Sequence, residues 1–308
     1  MPAQPLVIWQ LADGRAGHER QVQGLLDALA RRTAIETHRI EVGARGLRAA
    51  LDAWRRHFPA GHGLPTPQLI VGAGHASHWS LLAASRASSA KSVCLMRPSL
   101  PLGWFDVVIV PAHDQPRAHP AVWVSEGVLN PMTPATEKES SHGLILVGGP
   151  SRHHHCDDTQ VLAAIDQILS LDKTMHWTLC DSPRTPPRLR TACGEINHDR
   201  LSWVPFDSVD RSWLTNRLGR ASRAYVTSDS VNMIFEALTS GADVGIIEMP
   251  AARTDRVSAI VPDLIANHRV HALGHDSVGP QQLAEADRIA ALLLDRFPQL
   301  SAANGEPT

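Results

Sequence analysis

Residues 6–21 of the chain are LVIWQLADGRAGHERQ. Residues 6–11 form an apolar run of strand length, and a helical pattern follows at 19–31. The turn between them contains Gly14 and Gly17, which permit positive φ and a close approach of a ligand to the backbone. A strand that runs through a glycine turn into a helix is the opening of a βαβ unit.

The same alternation of strands and helices continues on both sides of one interruption. A polar, proline-bearing stretch at 130–141 separates two halves, and composition favours a linker there. Two successive α/β halves predict two Rossmann-like domains facing a cleft, 1–130 and 142–308, and leave open whether the last helix packs back on the first domain. Further strands are predicted at 35–42, 68–72, 92–96, 107–110, 143–147, 175–180, 201–204, 223–227 and 243–247, and further helices at 46–58, 76–88, 157–171, 184–192, 208–219, 229–240, 256–267 and 281–297.

Composition narrows the class of protein. The chain has 308 residues, of which 43% are hydrophobic and 19% charged, as in globular proteins. A net charge of −2 gives no basic field that would recruit nucleic acid. The first residues lack the pattern of a signal peptide, and no apolar stretch approaches the roughly 18–20 residues of a membrane span. Four cysteines without a C-x-x-C pair fit a reduced compartment, so we expect a cytoplasmic protein.

Acid and base side chains cluster in the first glycine turn. Asp13 follows the strand, and His18 and Glu19 open the helix. Histidine and carboxylates are the side chains that most often transfer protons in enzymes, and a helix N-terminus leaves free N–H groups beside them. The turn therefore predicts a catalytic pair, His18 and Asp13, on a ligand-contacting loop that contains Gly14 and Gly17. The alternative is a tight turn in which Asp13 or His18 only caps the helix.

The second half opens on a strand that ends in Gly148 and Gly149, before Pro150 and Ser151. Backbone N–H groups of such a turn can cradle a phosphate. No Gly-Lys-Ser/Thr follows, which excludes a Walker loop. The stretch predicts a phosphate contact, with an ordinary turn as the alternative.

A third motif follows the strand predicted at 223–227 and opens the next helix. Hydroxyls, a carboxylate and an amide gather at this helix N-terminus, where anions are stabilised. Glu236 lies about two turns further on, where a carboxylate is favourable if it accepts hydrogen bonds from a ribose diol. The alternative is ordinary capping with Glu236 in solvent. The predicted nucleotide contacts are Ser228, Asp229, Ser230, Asn232, Met233 and Glu236.

Several blocks of the sequence, taken in order, resemble one family. They are DGRAGHERQVQGL at 13–25, GHASHWSLL at 74–82, MRPSLP at 96–101, WFD at 104–106, GGPS at 148–151 and TSDS at 227–230. Together they resemble the bacterial glycosyltransferase-like proteins related to the plant Elm-type mitochondrial fission proteins. VPFD at 204–207 and TSDSVNMIFEA at 227–237 are also similar to the donor half of GT-B glycosyltransferases such as the peptidoglycan N-acetylglucosaminyltransferase.

The resemblance implies a GT-B architecture and a nucleoside-diphosphate-sugar donor. The donor pyrophosphate would lie near 148–151 and 228–230, and Glu236 would hold the ribose. Phe206 would lie against the base. Arg253 and Arg256 are further candidates, for stabilising the departing diphosphate.

The implied activity is sugar transfer to an envelope or lipid-linked acceptor, with His18 and Asp13 facing the sugar and acceptor. The alternative is a non-catalytic, membrane-associated interaction protein of the same fold. Neither reading requires a cofactor. Histidines at 75–78 and 153–155 have no accompanying cysteine pair and no H-E-x-x-H pattern, so no metal site is predicted. GAGHAS at 72–77 lacks the third glycine and the acid of a dinucleotide fingerprint, which argues against NAD.

The helix predicted at 46–58 carries an apolar stripe beside basic residues. This composition fits peripheral contact with an anionic surface such as the cytoplasmic face of the inner membrane. The alternative is a stripe that packs on the sheet. The stripe consists of Leu47, Leu51, Trp54 and Phe58, and the flanking residues are Arg45, Arg48, Arg55 and Arg56.

Overall fold

The computed structural model describes residues 4–43 and 46–300, apart from the side chains of Leu47 and Arg211. Arg45, predicted beside the apolar stripe, lies outside the described residues. The chain divides into two compact units. The first consists of residues 1–131 together with 284–308, and the second of residues 132–283, so that the second unit begins within the predicted linker.

The first unit contains a six-stranded sheet whose neighbouring strands are all parallel. Its elements are β1 (Leu6–Ala12), α1 (Ala16–Ala30), β2 (Ile35–Glu41), α2 (Gly46–Arg55), β3 (Leu69–Ala73), α3 (His78–Ser88), β4 (Lys91–Leu95), β5 (Val107–Pro111) and β6 (Val122–Ser125). The strand order is β2-β1-β3-β4-β5-β6, so the direction of winding reverses between β1 and β3. In open α/β sheets, ligands bind outside the carboxyl ends of the strands at such a reversal.

The second unit repeats this plan with a second parallel six-stranded sheet. Its elements are β7 (Glu139–Leu146), α4 (Asp158–Leu171), β8 (His176–Cys180), α5 (Pro187–Glu195), β9 (Leu201–Val204), α6 (Arg211–Arg220), β10 (Ala221–Thr227), α7 (Val231–Thr239), β11 (Asp243–Ile247), α8 (Ile260–Ala266) and β12 (His271–Ala272). The strand order is β12-β11-β10-β7-β8-β9, and the winding reverses between β7 and β10.

The last helix, α9 (Glu285–Arg296), belongs to the first unit. It packs against α1, and its Ile289 and Leu293 lie in the same buried cluster as Leu25 and Leu29. A separate cluster on the first sheet includes apolar residues of α3. Helices on both faces explain why central strands such as β3 and β5 are continuous apolar runs, whereas the edge strand β2 is largely polar.

The predicted α/β class is confirmed, and the predicted strands are present. Two short strands, β6 and β12, were not predicted; the two residues of β12 are too few to give a periodic signal. β7 begins at Glu139, inside the predicted linker. α2 ends at Arg55, earlier than predicted, and Arg56 adopts a left-handed φ of 53°. None of the helices in the described part of the chain is long and apolar enough to cross a bilayer.

Candidate functional site

Asp13, directly after β1, and His18, in the first turn of α1, lie together at the carboxyl end of β1 in the first unit. His18 Nδ1 lies 2.7 Å from Asp13 Oδ2, with the two side chains 16% and 2% exposed. An ionised carboxylate can only accept, so Nδ1–H donates this hydrogen bond and Nε2 is left as the ring nitrogen available to a substrate. Nε2 has no hydrogen-bond partner among the described residues. The pair has the arrangement of a histidine base oriented by a carboxylate.

Gly74, directly after β3, packs against the His18–Asp13 pair. It has φ +80° and ψ 160°, a region that only glycine occupies readily. A Cβ at this position would lie 2.2 Å from His18 Nδ1 and 3.0 Å from Asp13 Oδ2. The glycine is therefore needed twice, for its backbone conformation and for the space that the imidazole occupies.

A second histidine, His78, lies under the same edge of the sheet. Its ring stacks on that of His75 with 5.5 Å between centroids, and it accepts a 3.4 Å hydrogen bond at Nδ1 from the Ser99 N–H. Burial, with smaller contributions from His75 and His18, lowers the pKa of His78 to about 4. His78 is thus a neutral neighbour of His18 near neutral pH, a role that the sequence did not indicate.

The first turn of α1 differs from the prediction in one respect. Gly14 has the expected positive φ of +77°, but Gly17 lies in α1, which begins at Ala16 rather than at residue 19. The Asp13 carboxylate accepts a hydrogen bond from the Arg15 N–H at 3.1 Å, outside the helix. No side chain caps α1 itself, so the capping alternative for Asp13 and His18 is wrong.

At the reversal in the second unit, the carboxyl ends of β7 and β10 place Gly148 and Gly149 beside Asp229. The Asp229 side chain is 0% exposed, and its Oδ2 pairs with Arg184 Nη2 at 2.8 Å. The same oxygen accepts a 3.1 Å hydrogen bond from the Gly149 N–H. A Cβ on Gly148 would lie 2.2 Å from Asp229 Oδ1, so the carboxylate fills the space that this glycine leaves.

The predicted phosphate cradle is already engaged within the protein. The Gly148 N–H donates to Thr227 Oγ1 at 2.7 Å, as the Gly149 N–H does to Asp229. Gly149 also lies against backbone, since its Cβ would be 1.9 Å from the Arg184 carbonyl oxygen. These observations correct the reason for the two glycines, which are required by packing and internal hydrogen bonds.

The backbone N–H groups at the start of α7 are not capped by a described side chain. Ser230 is its N-cap residue but makes no side-chain capping bond, and the Ser228 hydroxyl instead accepts from the Met249 N–H at 2.9 Å. In contrast, Asp157 caps α4 and Asp210 caps α6. The N–H groups of residues 231–233, which include Asn232 and Met233, have no side-chain acceptor among the described residues. They form the positive end of a helix at the β7/β10 reversal.

The structure also shows the surroundings of two other predicted contacts, Glu236 and Phe206. Glu236 is buried at 5% exposure, so the alternative of a solvated carboxylate is wrong. Phe206 is half-buried, and its N–H donates to Asp181 Oδ1 at 2.7 Å. The Arg190 guanidinium lies 5.0 Å from the Phe206 ring centroid and pairs with Asp181 at 3.1 Å, so one face of the ring is covered. Burial raises the pKa of Asp181.

The loop after Gly149 packs on the loop after β11. Ser151 Oγ accepts from the N–H groups of His153 and His154, each at 3.1 Å, and His154 bridges to Ala251. Arg253 Nε pairs with Asp255 at 2.6 Å, and this carboxylate also contacts His153 Nδ1 at 2.7 Å. Arg256 is exposed in the same loop. The predicted diphosphate role of these arginines is untested by this geometry, whereas Arg184, which the sequence reasoning missed, lies at the reversal itself.

Comparison with known proteins identifies the family. The family model described as mitochondrial fission ELM1 matches residues 16–297. The chain belongs to the mitochondrial fission ELM1 family. The resemblance read from the sequence blocks is thereby confirmed. A search of curated proteins finds no match.

Solved structures share the fold of this family member at low identity. A Listeria monocytogenes protein provisionally identified as a UDP-N-acetylglucosamine 2-epimerase superimposes with a TM-score of 0.57 at 10% identity, over 99% of each chain. The UDP-GlcNAc 2-epimerase from Neisseria meningitidis bound to UDP-GlcNAc gives 0.52 at 10%, over 97% of this chain and 94% of that one. UGT2 from Phytolacca americana, complexed with UDP-2-fluoro-glucose and pterostilbene, gives 0.51 at 9%, over 97% and 93%. Two parallel six-stranded α/β sheets in one chain are the GT-B glycosyltransferase fold.

Proposed function

We propose that this protein is a glycosyltransferase that takes its sugar from a nucleoside-diphosphate-sugar bound by the second unit. The observation that supports this most directly is the uncapped start of α7 at the β7/β10 reversal, beside Arg184. A diphosphate needs several N–H donors and a guanidinium, and this edge of the sheet offers both.

In this proposal the N–H groups of 231–233 and the Arg184 guanidinium hold the diphosphate and stabilise it as it departs. Arg184 is anchored by the buried Asp229, whose negative charge it offsets while 42% of its own side chain stays exposed. Glu236 accepts hydrogen bonds from the ribose, and Phe206 with Arg190 lies against the base. Ser230, Asn232 and Met233 line the first turn of α7, while Arg253 and Arg256 remain proposed second contacts.

The His18–Asp13 pair is proposed as the base that removes the proton from the acceptor hydroxyl. We propose an envelope or lipid-linked acceptor at the cytoplasmic face of the membrane, and no cofactor. Because the Neisseria epimerase was solved with UDP-GlcNAc and the Phytolacca protein with a UDP-sugar, UDP-sugars are the first donors to test.

The experiment is a thermal-shift screen against UDP-, GDP-, ADP- and dTDP-sugars, followed by calorimetry on Arg184→Gln. Loss of a hydrogen bond to a charged group should weaken the donor by about 10- to 150-fold. Arg188→Gln is the matched control, because Arg188 is an exposed arginine of α5 with no ion pair among the described residues.

Failure of every nucleotide-sugar to bind, or an Arg184→Gln affinity equal to that of the control, would contradict the donor site. Binding without sugar transfer to any acceptor, together with unchanged function in the cell for variants that abolish binding, would favour the non-catalytic interaction protein.

A further inference from the structure

Helix α2 packs on the protein with small residues and turns Leu51 and Trp54 outward. Ala53 is 1% exposed and Ala49 is buried, whereas Leu51 is 51% and Trp54 77% exposed. α2 packs against α3, whose apolar residues share a buried cluster with Ala53 and whose Arg86 donates to the Ala53 carbonyl at 3.4 Å. The expectation that the apolar stripe packs on the sheet is therefore wrong for Leu51 and Trp54. Phe58 turns inward, with its ring centroid 5.8 Å from that of Trp9.

Three exposed arginines of the described chain lie beside this stripe. Arg48, Arg55 and Arg56 are exposed and make no ion pair with any described residue. Arg31 and Arg32, directly after α1, both pair with Asp287 by comparison. Arg48 and Arg55 are seven residues apart with Leu51 between them, so they lie along one side of the exposed stripe.

A second exposed tryptophan extends the apolar area. Trp104 is 45% exposed, and the Arg86 guanidinium lies 5.6 Å from its ring centroid. Since Arg86 also contacts Ala53 of α2, it connects Trp104 to the residue beside Trp54. We call Arg48, Leu51, Trp54, Arg55, Arg56 and Trp104 the α2 surface.

We propose that the α2 surface docks on a lipid bilayer rich in anionic headgroups. Tryptophan rings prefer the depth at which headgroups meet acyl chains, and unpaired arginines gain energy from anionic lipid. A second copy of the chain is a poorer occupant, because a two-fold contact would set these arginines against their own copies. The exposed apolar side chains of one short helix also fall below the roughly 800 Å² per partner of a stable dimer. The inference does not depend on the donor site.

The test is co-sedimentation of the full chain with vesicles of phosphatidylcholine alone and of phosphatidylcholine mixed with phosphatidylglycerol. We expect binding only to the mixed vesicles, weakened by salt. Each arginine near an anionic surface changes partitioning by about fivefold, so Arg48→Gln with Arg55→Gln should lower it by about thirtyfold. Trp54→Ala should lower it by about tenfold or more, because its ring no longer enters the bilayer.

Two variants in the second unit serve as matched controls. Leu171→Ala removes another exposed leucine, 55% exposed, and Arg188→Gln another unpaired arginine; neither should alter vesicle binding. Melting temperatures of all variants should equal that of the parent, since the changed side chains face solvent. The proposal is overturned by absent vesicle binding, by equal binding to both vesicle types, by equal losses in the controls, or by a dimer in solution that Trp54→Ala dissociates.

Discussion

Replacement of Gly74 by alanine should cost stability in two separable ways. Its φ of +80° and ψ of 160° belong to a region that costs a side-chain-bearing residue about 1–3 kcal/mol. The new methyl would also lie 2.2 Å from His18 Nδ1, and relief of such overlap typically costs a further ~1–3 kcal/mol. We therefore expect Gly74→Ala to lower the free energy of unfolding by about 2–6 kcal/mol, measured by urea denaturation.

A background without the imidazole separates the two contributions. In a His18→Ala variant the overlap with the ring disappears, so Gly74→Ala should then cost only the backbone contribution of about 1–3 kcal/mol. Equal losses for Gly74→Ala with and without His18 would refute the proposed contact between the glycine and the imidazole.

Three further predictions concern single side chains. His18→Ala should reduce sugar transfer by about 100- to 10,000-fold with donor affinity unchanged in calorimetry, and full transfer by this variant would remove His18 from the mechanism. The pKa of His78 is lowered from its ordinary value near 6.5 to about 4 in the folded protein. Its imidazole therefore binds a proton more readily in the unfolded chain than in the folded one. Stability should therefore fall by about 3 kcal/mol as the pH drops from 6.5 to 4, and His78→Gln should flatten this dependence in urea titrations at stepped pH. Glu236→Ala should lower both nucleotide affinity and the free energy of unfolding, the latter by about 1–3 kcal/mol because the carboxylate is buried; an unchanged urea midpoint would contradict this.

The sequence predicted most accurately those helices, strands and contacts that a single local pattern of residues determines. Buried parallel strands are apolar on both faces, which made β3 and β5 visible as short continuous runs. Asp13 and His18 could be predicted as neighbours because only a glycine turn and the start of one helix separate them along the chain. The contact of this pair with Gly74 could not be predicted, because Gly74 is brought to it by the pairing of β1 with β3.

In the second unit, sequence reasoning misinterpreted or missed several residues of the site. Two glycines after a strand fit a phosphate cradle and a packing contact equally well, and only the position of Asp229 across the β7/β10 reversal distinguishes them. Arg184 lies in a proline-bearing loop without periodicity or motif, so its place beside Asp229 is a property of the tertiary fold. The burial of Glu236 was likewise invisible, because its position on α7 falls at the border of the predicted face.

The passage of the chain out of the first unit and back through α9 has a consequence for biosynthesis. Ile289 and Leu293 complete a core to which Leu25 and Leu29 also belong, and these two leucines are translated before the entire second unit. During synthesis the face of α1 that α9 covers has no native partner until residue 293 has left the ribosome. The second unit, which is continuous in sequence from 132 to 283, can reach its native contacts first. Fragments that end before α9 should consequently require chaperones or aggregate, even though they contain every strand of the first sheet.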